Sequence, residues 1–248
     1  MINRRSFLTL MSISPMIAKN IIVKKDDDIF ISNEQWPIFV SALNRLKRIR
    51  RYVGYGNFNI ISFDKALFYA RNYSSIGAFS KSELELLDEL FYEEPTKYGF
   101  YGKKTNHSIT DKINTKEITK IAHTGHYLFK GTALNDYNRI LKDVGHDIIL
   151  TSGVRGIVKQ MTLYMKKIYS LKGNITEASY SLAPPAYTYH SISDFDVGKK
   201  GFGYSNFTEE FTTTKEYKNL KKLDYIAMRY TINNKEGVRY EPWHIKVI

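Results

Sequence analysis

The sequence predicts an α+β fold, with a mainly helical N-terminal region followed by a small antiparallel sheet packed with helices. Two observations lead there. Helical periodicities dominate residues 33–98, whereas strand patterns fall late in the chain and do not alternate regularly with helices. The chain also closes on two apolar runs separated by the turn-rich segment Asn233-Asn234-Lys235-Glu236-Gly237, the pattern of a hairpin.

Taken in order, residues 33–51 place Trp36, Phe39, Val40, Leu43 and Leu46 at helical spacing, with a basic tail at Lys47, Arg48, Arg50 and Arg51. Basic residues in a last turn suit the helix dipole, so that tail needs no ligand. Gly54, Gly56 and Asn57 break the pattern. A second helix is expected over 62–72. A third starts at Ser80 or Ser82, carries Glu83 and Glu85 in its first turn, and stops before Pro95. Residues 98–126, rich in Gly, Lys, Thr and Asn, read as loop with at most one short helix.

The second half is more regular. Residues 132–144 form a helix with Leu134, Tyr137, Ile140 and Leu141 on one face and Gly145 at its stop. Residues 147–151 read as a buried strand. Ile157, Met161, Tyr164, Ile168 and Leu171 then define one helical face, followed by a polar loop to Pro184-Pro185 and a short strand around Phe195. An amphipathic helix is expected over 208–223, and the terminal hairpin pairs 225–232 with 238–247.

Composition bounds the chemistry. With 248 residues, 43% of them hydrophobic and 25% charged, the chain can build one sizeable core. No Cys is present, so a disulfide framework and a thiolate metal site are excluded, and any metal must be held by His and carboxylate. The formal charge of +12 suits a polyanionic partner or surroundings, such as an acidic cell wall. The 19 Tyr and 14 Phe fall mainly on helical core faces and no nucleic-acid-binding motif accompanies them, so no nucleic-acid partner is expected. At the N-terminus, Arg4-Arg5-Ser6-Phe7-Leu8 precedes a short apolar run ending at Ala18. This reads as an export signal over 1–20, twin-arginine-like, too short for a membrane span. The expected destination is the periplasm, with an uncleaved anchor as the alternative and no transmembrane span in the mature chain. No feature sets an oligomeric state.

Of six histidines, His107, His123, His126 and His146 lie in loop-like segments and carry no pattern. His190 and His244 differ. A hydrolytic zinc site needs three N or O ligands, an open position for water and a nearby carboxylate that is not a ligand. Two separated His and one Asp supply the first requirement, and Glu241 the last. In a plain strand Glu241 and His244 would face opposite sides, but a bulge at Pro242 could bring them to one pocket while Trp243 packs inward. Asp194 and Asp196, two apart, can share a face while Phe195 turns to the core.

Ser152-Gly153-Val154-Arg155, the segment from Thr188 through His190 to Asp196, and Glu241-Pro242-Trp243-His244 come in this order. In that order and spacing the segment 128–248 resembles the M15 metallopeptidases, which include VanY-type D-alanyl-D-alanine carboxypeptidases, VanX-type dipeptidases and some phage endolysins. The resemblance implies Zn2+ held by His190, Asp196 and His244, with Glu241 as general base and Arg155 holding substrate oxygens. Gln160 and Thr188 would line the substrate site. It also implies a peptidoglycan peptide as substrate. The reaction it implies is hydrolysis of the terminal D-Ala-D-Ala bond of a stem peptide; a peptidoglycan endopeptidase of the same family and a non-catalytic exported wall-peptide-binding relative are the alternatives. Thr188 stands for the usual Ser, and Ser193 for a usual Gly. His190 to Asp196 spans six residues where the family pattern has seven, so a one-residue gap selects Asp196, and Asp194 is the alternative ligand.

Overall fold

A computed structural model describes residues 27–248; the expected export signal over 1–20 lies outside the described residues. The helical region forms as its spacing dictates. Helix α1 (Trp36–Val53) buries Phe39, Ala42, Leu43, Leu46 and Ile49. A short turn, α2 (Tyr55–Phe58), leads to α3 (Phe63–Asn72), whose first turn is capped by Ser62 accepting from the Lys65 amide. Helix α4 (Lys81–Tyr92) starts at Ser80, the first of the two candidate caps. The choice follows from Glu83: its carboxylate accepts from the Ser80 amide, the Ser80 hydroxyl accepts from the Glu83 amide, and Arg45 donates to the same carboxylate through Nε and Nη2.

Residues 98–126 are not all loop. A 3-10 turn (Thr115–Glu117) feeds strand β1 (Ile118–Lys120), which pairs antiparallel with β2 (Tyr127–Phe129). Three-residue strands joined through His123 and Gly125, both at positive φ, are too short for periodicity to register.

Helix α5 (Thr132–Val144) ends at Gly145 (φ 114°), and strand β3 (Ile148–Ser152) and helix α6 (Ile157–Ser170) follow as expected. The polar loop after it contains one further helix, α7 (Ile175–Ser181), started by the Asn174 side chain accepting from the Glu177 amide. Strand β4 (Phe195–Lys199) is central to the sheet. The single helix expected over 208–223 is instead a 3-10 turn (Glu209–Thr213) and a short helix α8 (Lys215–Leu220), divided at Thr214. Thr212, Thr213 and Thr214 each donate to a backbone carbonyl three residues earlier, which favours local turns over a continuous ladder. The terminal hairpin is shorter than its pattern suggests, because regular pairing is confined to β5 (Ala227–Met228) and β6 (His244–Lys246).

The four-stranded sheet has the order β3-β4-β6-β5, every neighbour antiparallel. One face packs on α5 and α8 through a cluster containing Leu150, Phe195, Val197, Phe211, Trp243 and Ile245. Period two then sends the intervening residues the other way. Asp196 pairs with His244, and a register shift between Leu150 and Ser152 brings Ser152 opposite Asp196, so three adjacent strands set these residues in one row. A second, larger cluster joins α1, α3 and α4 to α6, through residues such as Leu43, Phe91, Met161 and Tyr164. Among the described residues no helix is long and apolar enough to cross a membrane.

Candidate metal centre

Strand register places Asp196 beside His244. His190 reaches the same point from a 3-10 turn (Tyr189–Ser191) that follows Pro184-Pro185. The turn is braced against the Ser152–Arg155 segment: the Arg155 amide donates to the His190 carbonyl, and His190 Nδ1 lies 3.0 Å from the Gly153 carbonyl oxygen. A neutral imidazole donating from Nδ1 leaves its Nε2 lone pair pointing at the site. That Nε2 is 3.4 Å from Asp196 Oδ2, and His244 Nδ1 is 3.4 Å from Asp196 Oδ1. One donor atom from each of the three residues can be chosen so that all lie within 4.8 Å of one another, and all three residues are buried.

The donor set fits zinc. His190 Nε2 and Asp196 Oδ1 are buried and have no hydrogen-bond partner, an arrangement that is costly unless something else binds them. Each histidine nitrogen lies 3.4 Å from one of the two Asp196 carboxylate oxygens, a donor separation that suits ligands at roughly 2.1 Å from a tetrahedral ion.

The two candidate aspartates are separated by geometry. Asp194 lies on the far side of the His244 ring, with both oxygens engaged. Oδ2 accepts from Arg229 Nε (2.6 Å) and is 3.1 Å from His244 Nε2, while Oδ1 accepts from Arg229 Nη2 and the Val247 amide. It therefore fixes the ring that presents Nδ1 to Asp196. Asp196 is the aspartate brought against both histidines.

The electrostatics follow from burial and charge. Burial, then the Arg155 guanidinium, pushes His190 down to about 4, which keeps it neutral. Burial also lowers His244, but hydrogen bonds to Asp194 and Glu241 outweigh it and lift the group to about 9. Burial would raise both aspartates. The His244 and Arg229 contacts hold Asp194 well below the usual carboxylate range, and His190 and Arg155 do the same for Asp196.

Glu241 enters the site through a turn rather than the bulge expected at Pro242. The His244 amide donates back to the Glu241 carbonyl at 3.2 Å, so Glu241 to His244 closes a four-residue turn ahead of β6. Glu241 Oε2 is thereby 3.4 Å from His244 Nδ1, and Trp243 is buried in the core beneath the sheet. Arg155 is more committed than its motif implies: Nη2 pairs with Asp196 Oδ2 at 2.5 Å and Nε donates to Ser152 Oγ, leaving Nη1 without a partner among the described residues. Gln160 and Thr188 line the same small cavity as His190, Glu241 and His244. Gln160 donates to the Ala183 carbonyl, and its own buried oxygen has no partner.

Sequence reasoning passed over Arg229 and Tyr230, whose ring centroid lies 4.9 Å from that of His244, and Arg239, 3.9 Å from Glu241. All three sit in the arm of the terminal hairpin between β5 and β6, and no residue pattern marks them. The other four histidines remain outside the cluster.

Residues 130–248, just under half the chain, match the sequence model of VanY, described as D-alanyl-D-alanine carboxypeptidase. No curated protein sequence matches significantly. Among solved structures, VanYB in complex with D-alanine-D-alanine is similar at 24% identity over 53% of this chain and 77% of that one, with a TM-score of 0.43. The LdcB LD-carboxypeptidase matches at 21% identity over 52% of this chain and 63% of that one, with a TM-score of 0.44. The vancomycin-resistance D,D-dipeptidase VanXYg, with a D-Ala-D-Ala phosphinate analogue, matches at 19% identity over 56% and 58%, with a TM-score of 0.41.

Proposed function

We propose that this protein, whose residues 130–248 match the sequence model of the VanY D-alanyl-D-alanine carboxypeptidases, is a zinc-dependent peptidase that hydrolyses the terminal D-Ala–D-Ala bond of peptidoglycan stem peptides, and that it acts outside the cytoplasm after export. The observation that carries the reading is the set of three buried donors. His190, Asp196 and His244 converge, and the outward side of each is already held, by Gly153, Arg155 and Asp194 respectively.

In this reading His190, Asp196 and His244 would hold the metal. A zinc ion bound there would supply a water of lowered pKa and a Lewis-acid contact for the peptide carbonyl. Glu241, beside His244 and outside the donor triad, takes the proton of the attacking water and returns it to the leaving amine. Arg155, through its uncommitted Nη1, donates to a substrate carbonyl or to the terminal carboxylate. Gln160 and Thr188 line the cavity in which the peptide is held. Residues 128–248 form the catalytic part, and 30–127 a helical region against which α6 packs.

The test is release of D-Ala from a stem pentapeptide by zinc-loaded protein. Turnover that a chelator removes and zinc restores is the expected result. Cleavage only inside the peptide would make it an endopeptidase, and binding without cleavage of any wall peptide would make it a non-catalytic relative.

A further inference from the structure

A cavity of about 480 Å3 opens beside the metal centre, and Arg155 and Leu182 line both it and the small cavity holding His190, Glu241 and His244. One wall is a face of α6. Lys159, Leu163, Lys166, Lys167 and Ser170 recur at steps of four, three, one and three, the spacing of a single helical face. Arg155 and Arg239 add two more cations. No Asp or Glu lines the cavity, and α6 itself contains none.

A row of lysines is ordinarily a solvated surface. Lys159 departs from that: it is 6% exposed, packs over the Tyr55 ring at 4.7 Å, lines the cavity, and makes no ion pair with a described carboxylate. Lys166 and Lys167 make none either. Burying an unpaired ammonium is costly, and a carboxylate brought to it recovers that cost. The cavity is also within the size range of ligand sites, roughly 300–1,000 Å3.

We infer that this cleft receives the acidic part of the substrate: the peptide leading up to the scissile bond carries free carboxylates that pair with Lys159 and with Lys166 or Lys167. This rests on the peptidase reading above and sharpens it, since it requires an anionic peptide in place of any chain ending in D-Ala-D-Ala. Carboxamides at the same positions would remove the charge while keeping the shape, leaving the lysines unpaired.

The experiment uses two peptides ending in D-Ala-D-Ala, identical except that one carries two free carboxylates before the scissile bond and the other carries two carboxamides. For the zinc-loaded protein, kcat/KM is expected to be about tenfold or more higher for the acidic peptide, with the ratio shrinking as salt rises. Lys166→Gln with Lys167→Gln should bring the ratio to within about twofold. Lys221→Gln with Lys222→Gln removes the same charge from an exposed turn outside the cleft and should leave the ratio as it was. Calorimetric binding of both peptides to Glu241→Gln protein reads the cleft without turnover.

Equal hydrolysis of the two peptides overturns the cleft inference and leaves the peptidase reading intact. Absence of any hydrolysis, with selective binding of the acidic peptide that depends on Lys166 and Lys167, keeps the cleft and overturns the peptidase. An acidic preference unmoved by the Lys166 and Lys167 substitutions also overturns the inference. So does poly(glycerol phosphate) binding the cleft more tightly than the acidic peptide, which would make it a site for a phosphate polymer.

Discussion

Asp194 Oδ2 lies 3.1 Å from His244 Nε2, on the side of the ring opposite the atom that faces Asp196. The same carboxylate is clamped by Arg229 through Nε and Nη2, so the orientation of a candidate zinc ligand is set by an ion pair outside the donor triad. Asp194→Asn is therefore expected to lower zinc affinity about 10–100-fold without removing a donor. Asp196→Asn should lower it further. Chelator competition on both variants checks the order, and equal affinities would return Asp194 to the ligand set.

Glu241→Gln keeps the shape of the turn and removes the base. Turnover should fall about 10^2–10^4-fold while zinc content stays at one per chain, read by metal analysis beside the kinetic assay. Loss of zinc together with activity would assign Glu241 to the metal instead.

Gly153 sits where a Cβ would come within 2.0 Å of the Tyr127 carbonyl oxygen, an oxygen that already accepts from the Val154 amide. Its own carbonyl is the partner of His190 Nδ1. Gly153→Ala should therefore push β2 away and loosen His190 together, lowering both Tm and zinc affinity. A variant that lost only stability would separate the two roles.

Lys159 gives the cleft a pH dependence. Burial, then the positive charges of Arg155, Arg50 and Lys166, push it down to about 7, and the Tyr55 ring covers it. His126, on another wall of the cleft, is pushed down to about 4 by burial and then Lys159 and Arg155, so it stays neutral near pH 7. Peptide carboxylates stay ionised in this range, so the lysine decides the sign: it is charged below about 7 and loses charge above. Affinity for the acidic peptide should fall as pH rises from about 6 to about 8.5. Lys159→Arg, which cannot deprotonate there, should flatten the profile.

Much of this site is legible in the residues because its motifs carry short-range chemistry. Glu241, Pro242, Trp243 and His244 occupy one turn, and Asp196 on β4 stands two residues after Asp194, which lies just ahead of that strand. The choice between those aspartates is not local. It depends on the β4–β6 register, which sets Asp196 against His244, and on Arg229, which arrives from 35 residues away to occupy Asp194. The helices of the N-terminal region were readable from long apolar periods, and even the start of α4 was narrowed to two serines. The β1–β2 hairpin and α7 were not, since each is shorter than the window in which a period can be seen. The run Thr212 to Thr214 kept an apolar helical rhythm while its hydroxyls bonded the backbone, and there the rhythm misled.

Helix α6 turns one side to the cleft and the other to Leu43, Phe91 and their neighbours from α1 and α4. That sets a limit on how the chain can be shortened. A fragment beginning at residue 128 would keep every proposed metal and proton-transfer residue, yet strip the apolar cover from Met161, Tyr164 and Ile168. Such a minimal enzyme should be recovered as insoluble or dye-binding material, so any engineered version has to inherit the helical half or replace that cover with a redesigned polar surface on α6.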